Sequence, residues 1–235
     1  MTLSAASSPS WNYFYGYWRD RQPTRRYSWG MNPRSGAPTR EKLLETSQEL
    51  INRRGFAGTS IDQIIGEAGV TKGTFFYHFK TKQDLARALI QRFAAADQEL
   101  MRSSMERAEK LSPDPVQQVL IFVGLLLEVA EELDRTTQPG CLFATYCFEK
   151  GLFDDETYDI ISDAMLSWRQ VVGEKLRAAA ERTPPRADVD LDALADMVTV
   201  LFEGAFVVSR SLKGPGVFSA QLRHYRTYLQ LLFDA

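Results

Sequence analysis

The sequence predicts an all-α protein of about nine helices, with a small N-terminal helical domain followed by a larger one. Three observations carry this. Apolar residues recur three and four apart along successive segments, the spacing that collects them on one helix face. The segments open at Ser, Thr or Asp and close at Gly or Pro, which cap and break helices. No segment alternates apolar and polar residues as a half-buried strand does, and there is no internal repeat.

Residues 1–36 show no such spacing. Trp11, Tyr13, Phe14, Tyr15, Tyr17, Trp18, Tyr27 and Trp29 lie among Arg19, Arg21, Arg25 and Arg26, and Pro23, Gly30, Pro33 and Gly36 interrupt any element. Three readings fit: a basic aromatic arm that reaches DNA, a disordered extension, or residues bypassed by a natural start at Met31. The second and third are preferred.

The first helix covers residues 40–54, capped by Thr39, with Leu43, Leu44, Leu50 and Ile51 inward and Gly55 at its end. Ser60 caps the second, and Gln63 completes a capping box. Ile61, Ile64, Ile65 and Ala68 form its apolar face. Gly69 stops it, because glycine enters the left-handed region without a Cβ penalty. Thr71 caps a third helix through residue 79, anchored by Phe75 and Phe79 four apart. A long helix follows over residues 82–110, and at 1.5 Å per residue it spans roughly 43 Å. Such a length suits a mechanical link between the two domains.

Asp114 and Pro115 open a strongly apolar helix over residues 115–134, central in the second domain. Pro139 and Gly140 break the chain, and a short helix runs through Glu149. Residues 155–182 form the next helix, ended by Pro184 and Pro185. Residues 189–212 and 217–234 form the last two, separated by residues 214–216.

The third helix has an unusual outer face. With Phe75 and Phe79 inward, it presents Thr71, Lys72, Gly73, Thr74, Phe76, Tyr77 and His78. Hydroxyls, an amine, an imidazole and two rings suit a helix laid in a major groove. Residues 60–79 therefore read as a helix-turn-helix. From about Ala37 to Asp97 the chain closely resembles the TetR/AcrR family of bacterial transcriptional regulators. The matched features are the Arg-Glu-Lys-Leu-Leu opening, Arg-Gly-Phe before the Thr-Ser cap, Ala-Gly-Val-Thr-Lys-Gly-Thr, and Tyr-His-Phe-Lys-Thr-Lys. The resemblance implies a helix-turn-helix DNA-binding domain over 37–97 and a ligand-binding and dimerisation domain over 98–235.

It also implies roles. Thr59 and Ser60 would meet a phosphate at a helix N-terminus. Thr71, Lys72, Gly73, Thr74, Phe76 and Tyr77 would face the groove, with Phe76 against a thymine methyl. Tyr77, His78 and Lys82 would reach phosphates. The family often has tyrosine where Phe76 stands, which removes one hydrogen bond. A homodimer on a near-palindromic operator is expected, with half-sites about 34–36 Å apart. The last two helices would pair the protomers through Leu201, Gly204, Ala205, Val208, Tyr225 and Leu229. Phe122, Leu126, Phe143, Tyr146, Met165, Trp168, Phe202 and Phe206 would wall a pocket for a hydrophobic or aromatic effector. Each of these apolar residues also fits ordinary helical core.

Composition agrees. The chain has 235 residues, 44% of them hydrophobic, and a net charge of −2. Residues 1–97 hold 14 Lys and Arg against 8 Asp and Glu; the remainder holds 14 against 22. That split puts the basic part toward a polyanion. Two cysteines, Cys141 and Cys147, exclude a disulfide scaffold, and with two histidines no metal site is expected. Cys141, at a helix start, is the candidate for redox or electrophile sensing, although a buried structural thiol is the simpler reading. No apolar run reaches membrane-spanning length, and the first 30 residues lack a signal-peptide pattern. A cytoplasmic setting is expected.

There is no nucleophile elbow, phosphate loop or metal cluster, so the chain reads as a non-enzyme without a cofactor. Asp154, Asp155 and Glu156 read as helix-start chemistry. The function expected is a ligand-released transcriptional repressor. The alternatives are a ligand-dependent activator or corepressor-type regulator, and a helical small-molecule-binding protein or enzyme with a silent helix-turn-helix.

Overall fold

The computed structural model describes residues 37–135, 141–149, 151–214 and 216–235. The extension over 1–36 lies outside them. The described residues form nine α-helices and no strand: α1 Ala37–Arg54, α2 Ile61–Ala68, α3 Lys72–His78, α4 Lys82–Leu111, α5 Pro115–Arg135, α6 Leu142–Phe148, α7 Asp155–Arg182, α8 Leu191–Leu212 and α9 Val217–Phe233. The chain divides into two compact units, one ending at Lys82 and one running from Gln83 to Ala235.

The caps act as the side chains dictate. Ser60 Oγ accepts the Gln63 N–H while Gln63 Oε1 accepts the Ser60 N–H, closing the box. Gly69 ends α2 at φ 62°. Thr71 accepts the Thr74 N–H at 3.1 Å, and Asp114 accepts that of Val116 at 3.0 Å. α1 starts earlier than Thr39 because Pro38 suits a first helical turn, where the missing N–H costs nothing.

In the first unit, Leu43, Leu44, Leu50 and Ile51 of α1 are buried, as are Phe56, Ile64, Ala68, Phe75 and Phe79. The Phe75 and Phe79 rings lie 5.9 Å apart, so α3 is fixed by its inner face alone. The second unit is built on α5, α7, α8 and α9, with Met101, Met105 and Ala108 of α4 joining the same core. Arg169 forks onto Asp196 at 2.8 and 2.7 Å, tying α7 to α8. Among the described residues no helix is long and apolar enough to cross a membrane, and no group of side chains could hold a metal ion.

Candidate nucleic-acid interface

α2 and α3 meet through the Gly69 turn, and burial of Ile64, Ala68 and Phe75 turns the opposite surface of α3 outward. Thr71, Lys72 and Gly73 are exposed, and Tyr77 is 75% exposed. Tyr77 meets the His78 ring edge-on at 5.0 Å and leaves most of its surface open to a partner. Thr74 and His78 are half-buried. The Thr71 and Thr74 hydroxyls share a hydrogen bond of 2.8 Å, presenting them as one unit. Phe76 is half-buried, edge-on to Phe75 at 5.3 Å, so only part of its ring faces outward. Lys72 lies 3.9 Å from Asp62, both well exposed. Such surface pairs contribute about 0–1 kcal/mol, and a phosphate can replace the carboxylate at small cost.

One expected contact is corrected, and a second residue has a partner within the protein. Thr59 is 1% exposed; its hydroxyl donates to the Gly55 carbonyl at 2.8 Å and its N–H to that of Phe56 at 3.2 Å. Its side chain closes the turn before α2 and does not face outward. Lys82 is half-buried, its ammonium 3.9 Å from the Phe56 ring centroid and donating to the Phe56 carbonyl. Ser60 remains exposed. Lys80, not singled out from the sequence, donates to the Phe76 carbonyl at 3.0 Å and satisfies the end of α3.

In the second unit the eight aromatic and aliphatic candidates separate into groups. Phe122 and Trp168 pair at 6.1 Å. Phe143 meets Phe93 edge-on at 4.8 Å. Tyr146 stacks on Phe153 at 4.0 Å and donates to the Ala86 carbonyl. Phe202 and Phe206 both approach Phe218, at 6.3 and 4.8 Å. Leu126 is fully buried in the core and Met165 half-buried.

Polar chemistry sits among them that sequence reasoning missed. Trp168 Nε1 donates to Asp97 Oδ2 at 2.6 Å. The Cys141 thiol donates to Glu203 Oε1 at 3.1 Å, while Glu203 Oε2 is buried and meets no hydrogen-bond donor among the described residues. Burial drives the Asp97 carboxyl up to about 6, the indole opposing. Burial drives Glu203 to about 7, with the Asp97 charge adding to the rise and the Cys141 hydrogen bond opposing it. The four residues come from α4, the start of α6, α7 and α8, which is why no local motif announces them.

The same surroundings push the Cys141 thiol well up, through burial first and the Glu203 charge second. A thiol held protonated is a poor nucleophile. Cys147 is exposed but is also raised, by burial and Glu203.

The expected dimer residues divide as well. Gly204 and Val208 are exposed and Leu201 half-buried. Ala205, Tyr225 and Leu229 are corrected: they lie in the protomer's own core, and the Tyr225 hydroxyl donates to the Leu194 carbonyl at 2.9 Å. The outward apolar residues of these helices are instead Val200, Val207, Val208 and Leu212 of α8 with Tyr228 and Leu231 of α9. Tyrosine and leucine spaced by core positions could not be sorted into inner and outer faces without the partner helix.

Residues 43–89 match the family described as "Bacterial regulatory proteins, tetR family", and residues 115–225 match "Tetracyclin repressor-like, C-terminal domain". The chain belongs to the TetR family. Its relatives in this family include the HTH-type transcriptional repressor DhaR of Mycobacterium sp. (strain GP1), 24% identical over 170 residues, covering 72% of this chain and 81% of that protein. The transcriptional regulator AcuR of Cereibacter sphaeroides is 25% identical over 185 residues, covering 74% and 81%. The crystal structure of reduced Escherichia coli NemR superposes with a TM-score of 0.66 at 19% identity, over 81% of this chain and 96% of that one. The TetR-family member described here is a DNA-binding transcriptional regulator.

Proposed function

We propose that this regulator is a repressor that binds a near-palindromic operator as a cytoplasmic homodimer and is released by a small apolar or aromatic effector. The observation that carries the DNA half is α3: buried Phe75 and Phe79 fix one face, and Thr71, Lys72, Gly73 and Tyr77 stand open on the other. Phosphate contacts then set position, and groove contacts set sequence preference. Thr74, Phe76, His78 and Ser60 complete the reading surface.

One recognition helix covers few base pairs, so a second protomer is needed for a specific site. The outward valines and leucines of α8 and α9 suit that contact, since clustered exposed apolar side chains mark interaction surfaces. For the effector, Phe122, Trp168, Phe143 and Tyr146 supply apolar walls, and the Asp97 and Glu203 carboxyls supply the few polar groups a small-molecule site uses. Binding there would favour a conformation with weaker operator affinity, a population shift set by differential affinity for the two states.

The test is selection of duplexes by the full chain from a random pool. A recovered near-palindrome whose affinity falls steeply with salt supports the reading. Recovery of no preferred sequence and no salt-sensitive binding would sink it. Effector-induced tightening on the recovered duplex would reverse the sign to corepression.

A further inference from the structure

The turn before the helix-turn-helix, residues 55–59, is unusually well tied. Gly55 adopts φ 75°, a conformation that favours glycine. The Phe56 carbonyl accepts the Thr59 N–H, and the Gly55 carbonyl accepts the Thr59 hydroxyl. Lys82, 26 residues after Phe56, adds a third tie: its ammonium donates to that same Phe56 carbonyl and lies 3.9 Å from the centroid of the Phe56 ring. Phe56 itself is 3% exposed and so cannot follow the lysine outward.

Lys82 is also the first residue of α4. A cation at a helix N-terminus faces the positive end of the helix dipole, which is mildly unfavourable. Its placement there needs another interaction, and the carbonyl and ring face of Phe56 supply one. A half-buried ammonium over a ring gains more than an exposed one.

We propose that Lys82 is a positioning residue for DNA recognition: through Phe56 it fixes the turn that delivers Ser60, α2 and α3, and it is not a phosphate contact. The mechanism is geometric. Ser60 follows Thr59 directly, so the path of residues 55–59 sets where α2 starts. α2 in turn sets α3 through the Gly69 turn. Without Lys82 the Phe56 carbonyl keeps the local Thr59 N–H tie but loses the one from α4, the start of α2 is held less tightly, and a recognition helix offset by a fraction of an ångström loses base contacts before it loses phosphate contacts.

The inference rests on the chain binding DNA, so the probe is a duplex recovered by the wild-type full chain, with an unrelated duplex of equal length as control. If the wild type recovers none, both readings fall, before any variant is made. Given a duplex, Lys82→Met should bind it roughly tenfold more weakly, the scale of one charge-assisted hydrogen bond with its ring contact. Binding to the unrelated duplex and the slope of log affinity against log salt should not change. Lys82→Arg, which keeps a cation for the carbonyl and ring, should recover most of the loss. Phe56→Leu should weaken operator binding similarly, and the double variant should be little worse than either single one. Two results would overturn the proposal. One is a salt slope shallower by about 0.9 with equal loss on both duplexes, the mark of a lost phosphate contact. The other is a lower melting temperature with unchanged operator affinity of the folded protein, the mark of a purely structural lysine. Should Lys82→Met fail to fold, Lys82→Gln, which also removes the cation, and Phe56→Leu give the same readouts.

Discussion

The thiol of Cys141 donates to the carboxyl of Glu203 across 3.1 Å, and the second oxygen of that carboxyl is buried with no donor among the described residues. A charged carboxylate there is poorly stabilised, so the proton is retained. Glu203 rises from 4.5 to about 7, and Asp97 from 3.8 to about 6. Because both folded-state values are raised, the folded chain holds protons that the unfolded chain has released. Stability from this source is full below about pH 4 and is lost as pH rises toward 7. Glu203→Gln keeps an acceptor for the thiol and removes the charge. The variant should be more stable than wild type at pH 8 by on the order of 1–3 kcal/mol, unfolding at a higher temperature, with little difference at pH 4. Thermal unfolding across that range checks it; an equal shift at both ends would refute the linkage.

Thiol reactivity should follow burial rather than helix position. Cys141 caps α6 without a side-chain bond, a place that lowers a thiol in the open, yet burial and Glu203 override it. With a thiol reagent at neutral pH, Cys147 should be modified first and Cys141 only on unfolding. Cys147→Ser should remove the fast phase. Rapid labelling of Cys141 in the folded protein would contradict this.

Phe75 and Tyr77, two residues apart on α3, should respond oppositely. Phe75 is fully buried and Tyr77 is 75% exposed. Phe75→Ala should cost about 3–5 kcal/mol in unfolding free energy. Tyr77→Ala should leave stability within about 0.5 kcal/mol and weaken operator binding. Denaturant unfolding and a binding titration together separate the two.

How much of this was legible depends on where each residue finds its partner. Ser60 with Gln63, Thr71 with Thr74, and Gly69 all act within one turn, so the sequence shows them. The inward pair Phe75 and Phe79 follows from helical spacing alone. Lys82 and Tyr225 do not follow, because each is claimed by a carbonyl it meets only after folding, those of Phe56 and Leu194; Thr59 turns back onto the Gly55 carbonyl four residues earlier, in a turn that helical spacing does not describe. The Asp97, Cys141, Trp168 and Glu203 group draws on four helices, and no spacing along the chain could announce it.

The same distinction governs self-association. Leu231 is 65% exposed, whereas Tyr225 lies in the core. Leu231→Glu should shift sedimentation toward monomer with melting of the isolated protomer little changed. Tyr225→Phe should leave association intact and cost about 1–2 kcal/mol, the price of leaving the Leu194 carbonyl without its donor. A dimer unaffected by Leu231→Glu would move the contact away from this face.

The start of α9 is closed from outside itself. Gly216 offers no side chain, and the Asp134 carboxyl, 82 residues earlier in the chain, accepts the N–H groups of Gly216, Phe218 and Ser219 at 2.9, 3.1 and 3.0 Å. A first turn capped from α5 gains that stabilisation only when the end of α5 is in place, which makes its nucleation on its own less favourable. On that ground the last helix should become firmly ordered together with the end of α5. In hydrogen exchange the amides of Phe218 and Ser219 should gain protection together with those of α5, making the C-terminal helix a late recruit to a scaffold already formed.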